Sequence, residues 1–343
     1  MRAIVYRETG DPSVLNLVER PVLEPGPDEV RVRIVVSGVN PTDWKSRRGA
    51  ASGQALPFDE VVPGQDGAGI VEAIGSDVQH VRVGDRVWLA LAAYQRSNSG
   101  SSQEQAVLPA ERVFALPASA SFDQGASMGV PAITAYRALT VAEDGPDELH
   151  PTALSGKVVL VAGGAGAVGH AAIQLARWAD ATVITTVSGP AKAALATAAG
   201  AHHVLTYTDA DIVEQIRAIA PEGVDQIVEV APAQNADLDL AVIRNRGSIS
   251  VYANNGGDEM TLDVRRHFAL NVRYQFVLLY TVGIDAICAA ADAINRAIDD
   301  GALGIGEETG LPLHRFDLAH TADAHALVES GAVGKVLIDV TAP

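Results

Sequence analysis

The sequence predicts an α/β protein in two parts: a doubly wound parallel sheet with helices on both faces, and a mainly antiparallel β domain. Three observations predict it. Residues 1 to about 125 hold short bursts rich in valine and isoleucine, separated by turn clusters. From about residue 126, helical stretches alternate with β-branched bursts, and a cluster of glycines follows the first of those bursts. At 343 residues the chain also exceeds what one ordinary core accommodates, which favours two domains.

In the first part, RAIVY, EVRVRIVVSGV, AGIVEAI, DRVWLAL and EQAVLP read as strands, with GDPS, EPGPDE and VRVGD as turns between them. After LPASASFDQGAS come AITAYRAL, VVLVA, HAAIQLARWA, TVITTV, AKAALATAAG, HVLTY, DIVEQIRAIA, DQIVEV, LDLAVIRN and GSISVY. Strand–helix alternation of this kind builds a parallel sheet. EDGPDELHPTALSG, ahead of VVLVA, reads as a polar surface excursion. A strand-like run VRYQFVLLY, a helix around GIDAICAAADAINRAIDDG, HTADAHALVESG and a last strand KVLIDV complete the chain. The expected division is 1–125 with 281–343 in one domain and 126–280 in the other.

Composition excludes several classes. Hydrophobic residues make up 48% and charged residues 20%, the balance of a globular protein. No apolar run reaches the roughly 18 residues of a membrane span, and MRAIVYRETGD lacks the apolar core of a signal peptide; a cytoplasmic location is the expectation. A single cysteine, Cys288, excludes a disulfide framework or a cysteine-rich zinc lobe within one chain. The net charge of −17 repels nucleic-acid backbones, so a nucleic-acid partner is not expected.

The glycines carry the chemistry. Gly164, Gly166 and Gly169 have G-x-G-x-x-G spacing, which is weak alone but stands here between a strand and a helix. Absent side chains let the backbone turn tightly and approach a pyrophosphate, while the helix N-terminus offers free N–H groups. Gly164, Gly166, Ala167, Val168 and Gly169 are therefore the expected dinucleotide cradle. An NAD site would place an acidic residue about 20 positions on, to bind the ribose. Here TVITTV ends in Ser188, Gly189 and Pro190, with Lys192 just beyond. A hydroxyl and an ammonium without a carboxylate suit a 2′-phosphate, which makes NADPH the expected cofactor; the other reading of Lys192 is a solvated helix lysine.

GQDGAGIVEAIGSDVQHVRVGDRVW, with Gly64, Asp66, Gly69, Gly75, Gly84 and Asp85, resembles the medium-chain dehydrogenase/reductase signature. SGVNPTDWKSRRG, EQAVLPAERVFALP, AITAYRAL, AGGAGAVG and AHALVESGAVGKVLI fall in the same order as in that superfamily. Within it the chain is most similar to the zinc-free quinone oxidoreductases, the zeta-crystallin-like branch. The resemblance implies a Rossmann-type domain and a GroES-like catalytic domain, with the active cleft between them. Zinc-dependent relatives carry a cysteine where this chain has Asn40 and a histidine where it has Gln65. Amides are poor zinc ligands, so no tetrahedral site can be assembled from these positions. The pair His202–His203 lies in the cofactor half and is not expected to hold a metal.

The resemblance further implies that Tyr207 joins Ser188 and Lys192 at the adenosine phosphate. It places Asn254 and Thr134 near the nicotinamide, and sets Val230, Phe276, Leu278 and Lys335 along the cofactor. The ordinary alternatives are a surface tyrosine, a turn asparagine and a helix threonine bonded to its own backbone. Phe276, Leu279 and Tyr280 could also wall the substrate. Reducing a quinone needs a hydride and a donor to polarise the acceptor oxygen, and a quinone is electrophilic enough to dispense with a metal. Asn40, Lys45 and Arg48 are the candidate catalytic donors. Quinone oxidoreductases often hold a tyrosine where Lys45 stands, which leaves the proton donor unassigned. Asp43 is expected to hold backbone or an arginine, and Trp44 either lines the cleft or packs in the core. Three functions follow: an NADPH-dependent quinone reductase, an enone reductase of the same fold, or an NADPH-binding structural or sensing protein. The strand at RYQFVLLY is expected to pair with its twin in a homodimer.

Overall fold

A computed structural model describes residues 1–50 and 53–342. The first strands are β1 (Arg2–Val5), β2 (Asn16–Glu19) and β3 (Glu29–Val39), followed by helix α1 (Pro41–Arg48). Then come β4 (Asp66–Ile74), β5 (Arg86–Leu89), β6 (Gln105–Pro109), β7 (Val113–Ala115) and α2 (Phe122–Thr140). Strand β3 shows why they form a sheet over a core. Val30, Val32 and Ile34 are buried while Arg31 and Arg33 alternate with them on the other face, the two-residue period of a half-buried strand.

The alternating region contains β8 (Val158–Ala162), α3 (Ala167–Trp178), β9 (Thr182–Val187), α4 (Pro190–Ala198), β10 (His203–Thr206) and α5 (Ile212–Ile219). It continues through β11 (Val224–Glu229), α6 (Pro232–Val242), β12 (Ile243–Val251), α7 (Val264–Ala269), β13 (Arg273–Phe276) and α8 (Ile284–Asp299). The chain closes with β14 (Leu313–Asp317), α9 (Thr321–Glu329) and β15 (Lys335–Asp339). Among the described residues no helix is long and apolar enough to cross a membrane.

Two large sheets and a separate antiparallel β1–β2 pair organise these elements among the described residues. One runs β14-β15-β3-β4-β5-β7, with β6 also on β3, and all its pairs except β14–β15 are antiparallel. The other runs β10-β9-β8-β11-β12-β13 and is parallel throughout. Strand order advances from β8 through β9 to β10 on one side and from β11 to β13 on the other. The β8/β11 boundary is therefore the topological switch point, where such sheets bind ligands at the carboxyl ends of their strands. The fold is the expected one: a GroES-like, mainly antiparallel part and a Rossmann-type part.

The chain divides into two compact units, residues 1–130 with 312–343, and residues 131–311. The expected boundary at 281 is corrected by this division, because 281–311 belongs to the second unit. Helix α8 buries Ile287, Ala290, Ile294 and Ile298. The residues after it are tied to α3: Trp178 Nε1 donates to Asp300 at 2.8 Å, Gly304 N donates to Gln174 Oε1 at 3.1 Å, and His170 Nε2 lies 2.7 Å from the Thr309 carbonyl. Two local expectations also change. LDLAVIRN is not helical to its end, because β12 begins at Ile243 and crosses a bulge, with Arg246 at φ +64°. VRYQFVLLY is extended only as far as Phe276.

Candidate functional site

In the second unit the parallel sheet brings six strand ends to one edge. The loop after β8 begins at Gly163 (φ +70°), whose N–H reaches the Thr186 carbonyl at 3.0 Å. A Cβ on Gly164 would sit 2.1 Å from Thr185 Oγ1, and one on Gly169 would sit 2.4 Å from the Gly163 carbonyl. These two glycines let α3 close onto the sheet. Gly166 is different: its Cβ would meet nothing nearer than 3.5 Å. It is exposed, caps α3, and precedes half-buried Ala167 and Val168. The first turn of α3 thus presents its N–H groups at an open surface, which suits a phosphate. The sequence reading missed Gly163, although the doubled glycine in AGGAG signals the left-handed residue that the turn needs.

Next along the edge, Ser188 is exposed just past β9, and Lys192 is exposed in the first turn of α4. Tyr207, 48% exposed, follows β10, and its N–H donates to the Val187 carbonyl at 3.1 Å. All three therefore stand at neighbouring strand ends with no carboxylate on the β9 tip. Val230 follows β11, and its carbonyl accepts from Asn255 N at 3.0 Å. Asn254, past β12, donates its side-chain amide to Asp258. Phe276 and Leu278, 61% and 59% exposed, join Asn254, Tyr252 and Arg137 around a cavity of about 550 Å³. Thr134 is buried within α2.

The polar candidates of the first unit form a closed network around Asp66. Helix α1 starts with Asn40 as cap and Pro41 in its first position. The Asn40 N–H donates to Asp43 Oδ2 at 2.7 Å, and Lys45, Arg47 and Arg48 occupy the last turn where cations suit the helix dipole. Asp43 also accepts from Gln65 N at 3.1 Å, so it holds backbone as expected. Burial, with the Asp66 charge nearby, pushes Asp43 up to about 7 against the opposing N–H bonds.

Asn40 is 2% exposed rather than open to a substrate. Its Nδ2 donates to Asp66 Oδ2 at 2.7 Å, and its Oδ1 accepts from Lys335 Nζ at 2.8 Å. Lys335 also lies 3.2 Å from Asp66 Oδ2. Val130 N donates to Asp66 Oδ1 at 2.8 Å. Burial pushes the Asp66 carboxyl up, while Lys335, Asn40 and Val130 pull it back. Lys335, expected along the cofactor, is thus 1% exposed with its ammonium committed to Asn40 and Asp66. Arg48 pairs with Glu329 at 3.0 Å on the surface, and both it and Lys45 lie about 6 Å from the Trp44 ring. Of the catalytic candidates, Lys45 alone keeps an exposed cationic head without an ion pair among the described residues.

Comparisons with known proteins bear on the fold and the family. The alcohol dehydrogenase GroES-like domain matches residues 26–118, and the zinc-binding dehydrogenase family matches residues 167–296. A quinone oxidoreductase from Lama guanicoe is 32% identical over 343 residues, covering 98% of this chain and 97% of the relative. The crystal structure of Escherichia coli quinone oxidoreductase complexed with NADPH superposes with a TM-score of 0.79 at 26% identity, covering 99% of this chain and all of that one. An NAD-dependent alcohol dehydrogenase superposes equally well, with a TM-score of 0.84 at 28% identity and the same coverage. Overall likeness therefore leaves the coenzyme to local residues.

The zinc in the name of one matching family does not suit the residues here. The positions that carry cysteine and histidine in zinc-dependent relatives hold Asn40 and Gln65, and a lysine ammonium already bonds Asn40 Oδ1 and Asp66 Oδ2. Amide oxygens beside a fixed cation make no tetrahedral zinc site. With its two domain types, its GroES-like and parallel sheets, and a full-length relative at 32% identity, the chain belongs to the quinone oxidoreductase branch of the medium-chain dehydrogenase/reductase superfamily.

Proposed function

We propose that the protein is an NADPH-dependent oxidoreductase that reduces quinones without a catalytic metal. The carboxylate-free tip of β9 carries this reading, with Ser188, Lys192 and Tyr207 at adjacent strand ends beside the glycine loop. The first turn of α3, at Gly166, Ala167 and Val168, would hold the bridging phosphates. Ser188, Lys192 and Tyr207 would hold the 2′-phosphate, and Val230, Asn254, Phe276, Leu278 and Thr134 would border the nicotinamide end. When bound, NADPH supplies a hydride; a proton completes the reduction of a quinone to a quinol. Lys45 offers a mobile cation to the acceptor oxygen, while Asn40 stays committed to the buried Asp66–Lys335 network. Arg48 contributes less, since Glu329 already neutralises it.

Two variants test the coenzyme assignment. Lys192→Ala should weaken NADPH about 10-fold while leaving NADH within about 2-fold, the loss of one charge-assisted contact. Equal affinity of the native chain for NADPH and NADH, by fluorescence titration, would sink the assignment. Gly166→Ala should fold normally, because its Cβ has room, yet bind NADPH roughly 10-fold or more weakly by crowding the phosphate. Turnover with simple quinones against simple enones separates the quinone reading from reduction of a conjugated carbon–carbon double bond. Strand β13 is one edge of its sheet among the described residues; Val264, Phe268 and Phe276 lie exposed on α7 and β13, and Leu278 just beyond them. This apolar edge supports pairing with a second copy, which sedimentation would read directly.

A further inference from the structure

Helix α2 carries an arginine whose position is fixed and whose charge has no partner. From Pro131 to Thr140 every residue of the helix is buried except half-buried Arg137. The turn that holds it is pinned to the parallel sheet, because Gln226 Nε2 and Ser250 Oγ both donate to the Ala138 carbonyl, the latter at 2.8 Å. The other half-buried arginines of the second unit are all engaged. Arg217 donates to the Ala241 carbonyl at 2.8 Å, Arg244 pairs with Asp225 at 2.6 Å, and Arg273 pairs with Glu143 at 2.8 Å and Asp144 at 3.0 Å. Arg137 has no hydrogen bond, ion pair or ring contact among the described residues, in a chain with 42 acidic residues against 25 basic ones. Drawing a guanidinium partly out of water costs free energy, and no contact within the chain offsets it here.

The surroundings of Arg137 point to a ligand class. It lines the cavity of about 550 Å³ together with Val251, Met260, Val277 and other apolar side chains, a size that suits a small molecule. Asn254 borders the same cavity, which sets Arg137 beside the nicotinamide end of the proposed coenzyme site. Asp258 and Glu259 also line it, but both are exposed, Asp258 holds the Asn254 amide, and neither pairs with Arg137. Water screens such exposed charges more than a half-buried one. The net charge of −17 repels anions in general, so an anionic ligand needs a local cation. A planar guanidinium among apolar walls fits a carboxylate or sulfonate carried on a ring, which it can meet with two parallel N–H bonds. We propose that Arg137 selects acceptors that bear an anionic group on an apolar ring, holding the anion while the ring lies against the cavity's apolar walls. Arg137 is a specificity residue in this scheme and takes no part in hydride transfer. The substrate class rests on the quinone-reductase reading; the anion site itself does not.

A naphthoquinone carrying a carboxymethyl chain and its methyl ester share a ring and differ in charge; 2-naphthoate and 2-naphthamide do the same without being reducible by hydride. Arg137→Met removes the cation and keeps an apolar stem, while Arg137→Lys keeps the charge and loses the planar fork. The native chain should favour the acid over the ester in kcat/KM. Arg137→Met should lower that acid-to-ester ratio roughly 10- to 100-fold, the loss of one charge-assisted contact, and Arg137→Lys should restore part of it. In calorimetry the native chain should bind 2-naphthoate more tightly than 2-naphthamide, with an affinity that falls as salt rises, and Arg137→Met should abolish the difference. An acid-to-ester ratio left unchanged by Arg137→Met, or a native chain that binds the two naphthalene probes alike, would overturn the proposal. A dimer weakened in Arg137→Met with its naphthoate affinity unmoved would assign the arginine to a second copy and overturn it as well. A native chain that binds 2-naphthoate through Arg137 but reduces neither quinone would instead refute the quinone reading and leave the anion site standing.

Discussion

Each unit buries a carboxyl group that water would otherwise hold, and the two solve the problem in opposite ways. In the first unit Asp66 is met by the Lys335 ammonium, the Asn40 amide and the Val130 N–H. In the second, Glu229 and Asp239 are 0% and 1% exposed beside one another. What acts on them is burial, each other and neutral donors. Glu229 accepts from Asn235 Nδ2 at 3.0 Å and from the Ala231 N–H. Burial pushes Glu229 up; burial and the Glu229 charge push Asp239 well above the carboxylate range. Burial and the Glu229 charge hold Asp239 towards its protonated form, where Asp66 keeps a counter-ion. A buried carboxylate must be paired or neutralised, and the choice decides what each region can do. The paired site has a fixed polarity. The Glu229–Asp239 site holds the 230–235 turn through the Ala231 N–H and the Asn235 amide, and burial favours its protonated form.

The largest effect should come from breaking the pair in the first unit. Lys335→Met leaves Asp66 buried beside no cation and should cost about 3–5 kcal/mol in urea unfolding. Restoration of most of that by Asp66→Asn in the same chain would establish the coupling. A cost under about 1 kcal/mol would mean the pair is solvated.

A pH series probes the other half of the comparison. Glu229, Asp239 and Asp43 have folded values above their unfolded ones, so the folded chain binds their protons more tightly. Their contribution is complete at low pH and is lost as pH rises from the unfolded values to the folded ones, about 7 for Asp43 and raised for Glu229 and Asp239. That loss should lower the melting temperature as pH rises from the ordinary carboxylate range towards neutrality, and Asp239→Asn should flatten part of it. An Asp239→Asn profile parallel to the native one would refute the raised Asp239 carboxyl.

His325 sharpens the contrast by using neither device. It is fully buried, neither ring nitrogen has a hydrogen-bond partner, and burial, aided by the Arg47 charge, lowers its value to about 3. It folds neutral, and stability is lost as pH falls below the ordinary histidine value of 6.5. His325→Leu should gain about 1 kcal/mol by removing unpaired polar atoms and should lessen the acid loss. A smaller melting temperature for the variant would show that the ring makes contacts of value.

The coenzyme edge was the more legible part of the molecule. A glycine cluster between a β-branched burst and an alanine-rich helix states its geometry locally, and the strand after it shows its polar tip in consecutive residues. Ser188 and Lys192 stand where that reading put them, exposed at the end of β9 and the start of α4. Asn40 and Lys335 were named as functional but given the wrong surroundings. Both were expected to face a ligand, and both turn inward. Arg47, fully buried between Glu329 and the Gly10 carbonyl, gave no sign in the sequence that set it apart from exposed Arg48 beside it.

The amino-acid order by itself determined the two-part α/β architecture, the phosphate-binding turn and the absence of an acid beyond β9, because these depend on neighbours within one strand–turn–helix. Only the tertiary structure decided that Lys335 meets Asn40 and Asp66, residues 295 and 269 positions away. That meeting depends on the registers of β15 on β3 and β3 on β4. No local pattern encodes such a register; burial of the whole sheet selects it.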